Sequence, residues 1–191
     1  MKSATKLLIG IGVVVLLAVF WFFGTRNSLM SLKEDVEMQQ SQIETTLQRR
    51  SDLIPNLVET VKGYTTHEEE VFTEIADAKA KLAGSIKSGD IETISEANNA
   101  LDSALGRLLA ISEDYPDLKA SEQFIALQDE LAGTENRIAV ARQYYNEKVR
   151  TYNTTVQSFP VSIVAGMSGY YPVEYFEADE EATEVPEVNF D

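Results

Sequence analysis

The single histidine of the chain, His67, is followed by three glutamates, so potential metal ligands stand side by side in the sequence. A hydrolytic metal site usually needs several ligands that converge from different parts of a fold. Thr66-His67-Glu68-Glu69 also matches a capping box, in which a hydroxyl and a carboxylate bond free N–H groups at a helix start. Glutamates also favour the positive end of a helix. We therefore interpret residues 66–70 as a helix start, and we predict neither a metal site nor a cofactor.

Other patterns of catalytic chemistry are incomplete. The stretch Gly166-Met167-Ser168-Gly169 resembles a nucleophile elbow, but Tyr170 occupies a position where that motif needs glycine. The sequence contains no phosphate-binding loop and no dinucleotide fingerprint. It contains no cysteine, which excludes thiol catalysis, disulfides and zinc–thiolate sites. We predict no catalytic residue and no small-molecule substrate.

Two groups of polar side chains could instead act together. One group surrounds a proline in the first predicted helix, and the other lies on the last long predicted helix. The groups are Arg49, Arg50, Asp52 and Asn56, and Glu135, Asn136, Arg137 and Arg142. If the two helices pair antiparallel, these residues could form a polar layer that fixes the helix register. A ligand site built from the arginines is the alternative.

Helices must position this layer, because apolar residues recur at helical spacing and no strand pattern of useful length is present. The first helix of the domain is predicted from about residue 26, with Leu29, Leu32, Val36, Ile43 and Leu47 on one face. At Pro55 it either restarts, with Asp52 as the cap, or continues with a kink to Gly63. We favour the kinked continuation.

Three further helices are predicted. The second begins at the capping box and is followed by a loop over residues 84–90. Asp90 caps the third, and Tyr115-Pro116-Asp117 ends it. Ser121 opens the fourth, which runs to about Val156 with apolar residues at intervals of seven: Phe124, Leu131, Ile138, Tyr145 and Tyr152. Such a repeat favours near-parallel packing. The predicted fold is all-α, with an N-terminal transmembrane helix and an up-down four-helix bundle of two long and two short helices.

Unequal helix lengths would leave part of the long helix pair uncovered. Val36 and Ile43 would then face Tyr145 and Tyr152 and stay partly exposed, as an oligomer or partner surface. The apolar segment 158–176 would add to it Phe159, Tyr170, Tyr171, Tyr175 and Phe176. The alternatives are that this segment folds back over the helix pair or lies at the membrane interface.

An uncharged apolar run over residues 7–23 is long enough for a membrane span, which needs at least about 17 residues. A cleaved signal peptide would need small residues after the run, but Trp21, Phe22 and Phe23 are bulky. Lys2 and Lys6 precede the run, whereas Arg26 and Lys33 follow it, which favours a bundle outside the cytoplasm. We predict a single-pass protein of the cell membrane, with the lipid bilayer as one partner.

The acidic charge is concentrated at the C-terminus. The net charge is −15, and residues 177–191 hold seven acids and no base. A surface of this sign does not favour nucleic acid, so we predict no nucleic-acid partner. The organisation expected is an anchor over residues 1–25, a bundle over 26–157, an apolar segment over 158–176 and a disordered tail over 177–191. A tail that docks on a basic partner is the alternative.

Several short motifs resemble those of the LemA family. The most specific is Arg49-Arg50 followed by residues 52–64, which read DLIPNLVETVKGY. Further matches are His67-Glu68, Tyr115-Pro116-Asp117-Leu118-Lys119, Glu135-Asn136-Arg137-Ile138, Ala141-Arg142, Tyr145-Asn146, Tyr152-Asn153, Phe159-Pro160 and Tyr175-Phe176-Glu177. The resemblance covers roughly residues 26–178. One departure is Gln40, where many members carry tryptophan, and it bears on local packing.

The resemblance implies a bacterial membrane protein with an N-terminal span, a four-helix core and no established enzymatic activity. A magnetosome-associated branch suggests, by analogy, a role in membrane organisation. The family is often drawn with the N-terminus outside, opposite to the orientation that the charges favour. We predict a non-catalytic scaffold that self-associates as a homo-oligomer or recruits a protein partner. The alternative is a sensor or accessory subunit that regulates a neighbouring membrane protein such as a protease.

Overall fold

A computed structural model describes residues 2–65 and 67–176. This part of the chain is helical and contains no strand, as the sequence predicted. The helices are α1 (Lys2–Lys62), α2 (Glu69–Ser88), α3 (Ile91–Ser112), α4 (Pro116–Lys119), α5 (Glu122–Gln157) and α6 (Val161–Ser168). The predicted tail, residues 177–191, lies outside the described residues.

Helix α1 runs without interruption from the apolar N-terminal run into the following domain. No break separates the predicted anchor from the predicted bundle at residue 26. The helix also continues through Pro55, which confirms the continuation over a restart at Asp52. Proline removes one helical hydrogen bond, but Ile54 and Leu57 on either side are buried. Burial of these neighbours stabilises the helix where its backbone bonding is incomplete.

The start of α2 differs from the predicted capping box. The N-cap is Glu68, and no cap hydrogen bond from its side chain is found within the described residues, which exclude Thr66. Its carboxylate instead accepts a hydrogen bond of 3.3 Å from the hydroxyl of Tyr115. His67 is exposed before the helix. The helix therefore begins two residues later than the predicted capping box of Thr66 and Glu69, because Glu68 and not Thr66 is its N-cap.

The predicted loop over residues 84–90 was also wrong, because α2 continues to Ser88. Only Gly89 leaves the helix, with a φ of 71°, a left-handed conformation that glycine adopts without a Cβ clash. Its carbonyl accepts a 2.8 Å hydrogen bond from the Gln40 amide, which ties this turn to α1. Asp90 caps α3 as predicted, accepting from the Thr93 N–H at 3.2 Å.

Helix α5 follows the predicted boundaries and buries most of the predicted register. Phe124, Ile138, Tyr145 and Tyr152 are buried, and Leu131 is half-buried. Thr134 is polar but fully buried, and its hydroxyl donates to the Leu131 carbonyl at 2.7 Å. A threonine can satisfy its hydroxyl within its own helix, so it is compatible with a buried face.

The described chain forms two compact units. Among the described residues, the first contains 2–39 and 146–173, and the second contains the residues of 40–145 together with 174–176. Helices α1 and α5 therefore each contribute to both units. Within the second unit, α2 and α3 pack against each other, and a 2.8 Å ion pair joins Glu74 to Arg107. The up-down order of the bundle stays a prediction.

Candidate functional site

The best-organised polar cluster lies in the second unit and centres on Arg50 of α1. The Arg50 side chain is only 7% exposed, and its guanidinium forms an ion pair with Asp102 of α3. It also contacts Glu135 Oε2 of α5 at 2.8 Å and Asn98 Oδ1 of α3 at 3.3 Å. One arginine therefore links three helices through charge-assisted bonds, which are stronger than neutral hydrogen bonds.

The α3 side of this cluster follows from helical spacing. Asn98 and Asp102 are four residues apart and therefore share a face. The Asn98 amide donates to Asp102 Oδ2 at 2.8 Å, which orients the carboxylate toward Arg50. Sequence reasoning missed both residues. The available signal was that they interrupt the apolar face of α3 that carries Ile94 and Leu101.

A second, exposed cluster lies on the same pair of long helices. Arg49 Nη2 contacts Glu130 Oε1 at 2.6 Å, and Arg137 Nη2 lies 3.7 Å from the same oxygen. The side chains of Arg49 and Glu130 are 60% and 40% exposed. Exposed ion pairs of this type contribute little to stability, about 0–1 kcal/mol. Sequence reasoning also missed Glu130.

The remaining members of the predicted layer are exposed or make other contacts. Asp52 accepts from the Gln48 amide at 2.9 Å on an exposed face of α1. Asn56 and Asn136 are exposed. The guanidinium carbon of Arg142 lies 4.6 Å above the centroid of the Phe176 ring, in a cation–π arrangement. Among the predicted members, the structure therefore pairs Arg50 with Glu135, and it pairs Arg49 and Arg137 with a common partner, Glu130.

The residues predicted to form a partly exposed helix pair are buried. Val36, Ile43, Tyr145 and Tyr152 are each at most 2% exposed, so the prediction of partial exposure was wrong. Phe176 is also only 2% exposed.

In the first unit, the C-terminal segment contacts α5 through an amide clamp. The Asn153 side chain donates to the Val173 carbonyl at 2.7 Å and accepts from its N–H at 2.8 Å. In the second unit, the Tyr145 hydroxyl donates to the Glu174 carbonyl at 3.0 Å. These contacts support the alternative in which the segment folds back.

Burial alters the acidity of both tyrosines on this face. Burial, followed by the charge of Glu174, raises the pKa of Tyr145 to about 12. Burial is also the main cause of the raised pKa of Tyr152, with smaller effects from Tyr170 and Glu37. Both phenols stay protonated near neutral pH, and that of Tyr145 donates a hydrogen bond to the Glu174 carbonyl.

A family model described as the LemA family matches residues 39–190. The chain belongs to the LemA family. It is 27% identical to magnetosome protein MamQ of Magnetospirillum gryphiswaldense over 92% of this chain and 73% of that protein. It is also 27% identical to protein LemA of Metamycoplasma hominis over 87% of this chain and 76% of that protein. These findings confirm the resemblance drawn from the short motifs.

The LemA motif around Pro55 has a structural role in this family member. Its Arg50 forms the buried cluster, while Ile54, Leu57 and Val61 are buried on α1. Arg49, which precedes Arg50, is exposed. The two adjacent arginines of the motif therefore point in different directions. Arg50 contributes to the buried cluster between helices, and Arg49 contributes to the surface ion pairs.

A groove of about 320 Å³ adjoins the Arg50 cluster in the second unit. Most of its lining is apolar, and Arg50 and Glu135 lie among its walls. The lining residues are Arg50, Leu57, Leu105, Leu109, Gln128, Leu131, Ala132 and Glu135. Its size is at the lower end of the range for small-molecule sites. Within residues 2–65 and 67–176, no group of three His, Asp or Glu side chains could hold a metal ion.

Proposed function

We propose that this LemA-family chain is a non-catalytic, single-pass membrane protein that acts as a scaffold. The observation that carries the proposal is the continuity of α1. Its N-terminal part is long and apolar enough to cross a membrane, and none of that stretch is buried by the rest of the chain. The same helix supplies Ile43, Leu47 and Arg50 to the second unit. An up-down bundle, presented by its anchor helix, fits this arrangement.

Membrane extraction tests the anchor. The full chain is expected to stay with membranes through a urea wash that removes peripheral proteins. Substituting Leu16→Arg places a charge near the middle of the apolar run, at a cost of about 2.5–3.5 kcal/mol for insertion. Ser103→Arg, at an exposed site on α3, is the matched control. Extraction of the unaltered chain by urea would contradict the proposal.

The roles of the polar residues support a scaffold rather than an enzyme. Arg50 and Glu135 make contacts between helices, and Arg49 and Arg137 share a surface carboxylate. Each contact stabilises the association of α1, α3 or α5. Neutral substitution of Arg49 and Arg137 is therefore expected to leave the cellular role intact. Loss of that role in a variant of unchanged stability and membrane content would favour a catalytic or ligand-binding role for these residues.

Self-association is proposed to use exposed apolar side chains of α5. Val140 and Tyr144 are 50% and 54% exposed and share a helix face because they are four residues apart. Exposed apolar patches commonly mark protein contacts. The mass of the full chain in a membrane disc is expected to be a multiple of the monomer mass.

A double substitution tests the α5 surface. Val140→Ser with Tyr144→Ser is expected to lower the mass toward that of the monomer. Tyr64→Ser, at a tyrosine 44% exposed after α1, is the matched control and should leave the mass unchanged. The scaffold proposal would be refuted if the unaltered chain had the mass of a monomer and also captured no protein partner.

The groove beside Arg50 favours a second candidate, a ligand-sensing accessory subunit for a neighbouring membrane protein such as a protease. Small apolar molecules and fatty acids can be screened by thermal shift on the full chain. The candidate predicts a raised unfolding temperature that Ala132→Phe, which narrows the groove, abolishes. No shift with any compound, together with an unchanged neighbour activity after deletion, counts against it.

The proposed orientation places the second unit outside the cytoplasm, following the charges around the apolar run. Because the chain lacks cysteine, one cysteine at exposed Ser103 can report its side of the membrane. A membrane-impermeant thiol reagent should label it in intact cells from which any outer membrane has been removed. Labelling only after lysis would reverse the orientation.

A further inference from the structure

The segment around α6 is unusual for its lack of charge. A quarter of the whole chain is charged, yet residues 151–173 contain no Asp, Glu, Lys or Arg. This stretch includes the end of α5, all of α6 and the chain up to Val173, and all of it belongs to the first unit. Exposed apolar surfaces of this kind commonly mark a site of contact with a protein or a membrane.

Helix α6 has one covered face and one exposed apolar face. Val164 and Ala165 are each 1% exposed, whereas Ile163 and Met167, four residues apart, are 54% and 74% exposed. Phe159 before the helix is 83% exposed. Tyr171 after the helix is 68% exposed. Large apolar side chains thus remain uncovered along this segment.

The segment is held in place and is not a loose end. Gly169 ends α6 with a φ of 75°, and the Tyr170 N–H donates to the Ala165 carbonyl at 3.0 Å. Just beyond, the amide of Asn153 forms the two hydrogen bonds with Val173 described above. The hydrogen bonds to Asn153 of α5 therefore fix the chain that follows α6, while the apolar face of α6 stays exposed.

Burial along α1 changes at the end of the apolar run. Residues 6–21 of α1 are exposed, and the first covered side chains are Phe22 and Thr25, which are half-buried, and Leu29, which is fully buried. Within the first unit, the chain that can cover them is residues 146–173.

With α1 and α5 antiparallel, as in the up-down order proposed above, one ion pair gives the register of these two helices. Lys148 of α5 contacts Asp35 of α1 at 2.9 Å. From Lys148, α5 continues to Gln157, a rise of about 14 Å at about 1.5 Å per residue. The same distance along α1 leads from Asp35 to Arg26, just past the aromatic end of the apolar run. Helix α6 follows α5 at this level.

We propose that Phe159, Ile163, Met167 and Tyr171 insert into the headgroup region of the bilayer that α1 crosses. The inference rests on the proposed membrane span and adds a second, interfacial lipid contact. Amphipathic surfaces of this kind bury their apolar face about 5–10 Å into the boundary between headgroups and acyl chains. Aromatic side chains favour that boundary, and a segment without acidic groups is not repelled by anionic lipids. Both this surface and the exposed apolar run of α1 belong to the first unit.

Depth-dependent fluorescence quenching tests the proposal on the full chain, which lacks cysteine and accepts a single labelled one. Met167→Cys reports α6, Val15→Cys reports the middle of the apolar run, and Ser103→Cys on α3 is the aqueous control. Each labelled protein is placed in phosphatidylcholine vesicles that carry a nitroxide quencher either near the headgroup or near the acyl end. The Met167 label should be quenched more by the shallow quencher, and the Val15 label more by the deep one. The Ser103 label should be quenched by neither.

A second substitution separates insertion from mere proximity to lipid. In the Met167→Cys background, Ile163→Asp should lower the shallow quenching, because it places a charge on the inserting face. Ser103→Asp, at an exposed site on α3, is the matched control and should leave it unchanged.

The possible outcomes distinguish this inference from the proposed function. Deep quenching at Val15 with none at Met167 overturns the interfacial contact while the span stands. No quenching at Val15 removes the span and the interfacial contact together. A third outcome is a Met167 label that is shielded from aqueous iodide but is not quenched by either nitroxide. If dilution into excess lipid then removes the shielding, the surface is covered by a second copy of the chain, and the proposal is overturned.

Discussion

Replacing Arg50 tests the buried cluster that joins α1 to α3 and α5. Arg50→Met keeps most of the apolar stem but removes the charge of a side chain only 7% exposed. Breaking a fully buried pair costs about 3–5 kcal/mol, because the remaining charge is left without a partner. The carboxylates left behind, Asp102 and Glu135, have side chains 30% and 42% exposed, so water partly solvates them. We therefore expect Arg50→Met to lower the free energy of unfolding by about 2–3 kcal/mol.

The neighbouring residue provides a matched control. Arg49→Met changes the same chemical group on an exposed side chain that contacts Glu130, and it should cost less than about 1 kcal/mol. The full chain of each variant is unfolded with urea in detergent, and far-UV circular dichroism monitors the unfolding. The urea midpoints of the variants are compared where the denaturant slopes are equal.

Neutral partners identify the source of the loss. Adding Asp102→Asn and Glu135→Gln to Arg50→Met removes the unpaired charges, and should recover about 1 kcal/mol or more. Equal effects of Arg49→Met and Arg50→Met, or no recovery in the triple variant, would refute the assignment of the cluster as the link between helices.

The other predictions concern local contacts and pH. Asp90→Ala removes the α3 cap and should lower the unfolding free energy by about 1 kcal/mol in the same urea assay. Gly89→Ala should cost about 1–2 kcal/mol, because its φ is 71°; an unchanged midpoint would contradict the left-handed turn. The raised pKa of Tyr145, about 12 against 10, means that the folded state holds the proton more tightly. Its contribution to stability is complete below pH 10 and declines as pH rises toward 12, by at most about 2–3 kcal/mol before discounting for solvent screening. Tyr145→Phe should flatten this decline, and an identical alkaline profile would contradict it. Asn153→Leu should speed amide hydrogen exchange around Val173 while leaving α3 unchanged; equal exchange in both proteins would show that the clamp is not needed.

Residue spacing alone predicted the helical elements well. Apolar periodicity placed α3 and α5, Asp90 was correctly identified as a cap, and the break after α3 followed from Tyr115-Pro116-Asp117. These features depend on a few residues close together in the chain, where side-chain chemistry and backbone geometry act directly. The continuation of α1 through Pro55 was a choice between alternatives, which burial on both sides of the proline decides.

Both ends of α2 were predicted at the wrong residue. Thr66 and Glu69 have capping-box spacing, but the N-cap is Glu68. The end of α2 was placed too early at Gly84, because glycine tolerates a helix when nearby residues such as Ser85 are buried. Spacing cannot distinguish the helical Gly84 from Gly89, whose positive φ ends the helix.

For the candidate site, too, the sequence determined the local features and the tertiary structure determined the contacts between helices. The sequence determined that this LemA-family chain has an apolar N-terminal helix, a helical domain and polar residues near Pro55, because each is encoded by local composition or a short motif. Only the tertiary structure decided that Arg50 is paired with Asn98 and Asp102, and that Val36 and Tyr152 are buried. Those outcomes depend on which helices meet and on where residues 158–176 fold, and such long-range contacts leave no periodic trace in one sequence.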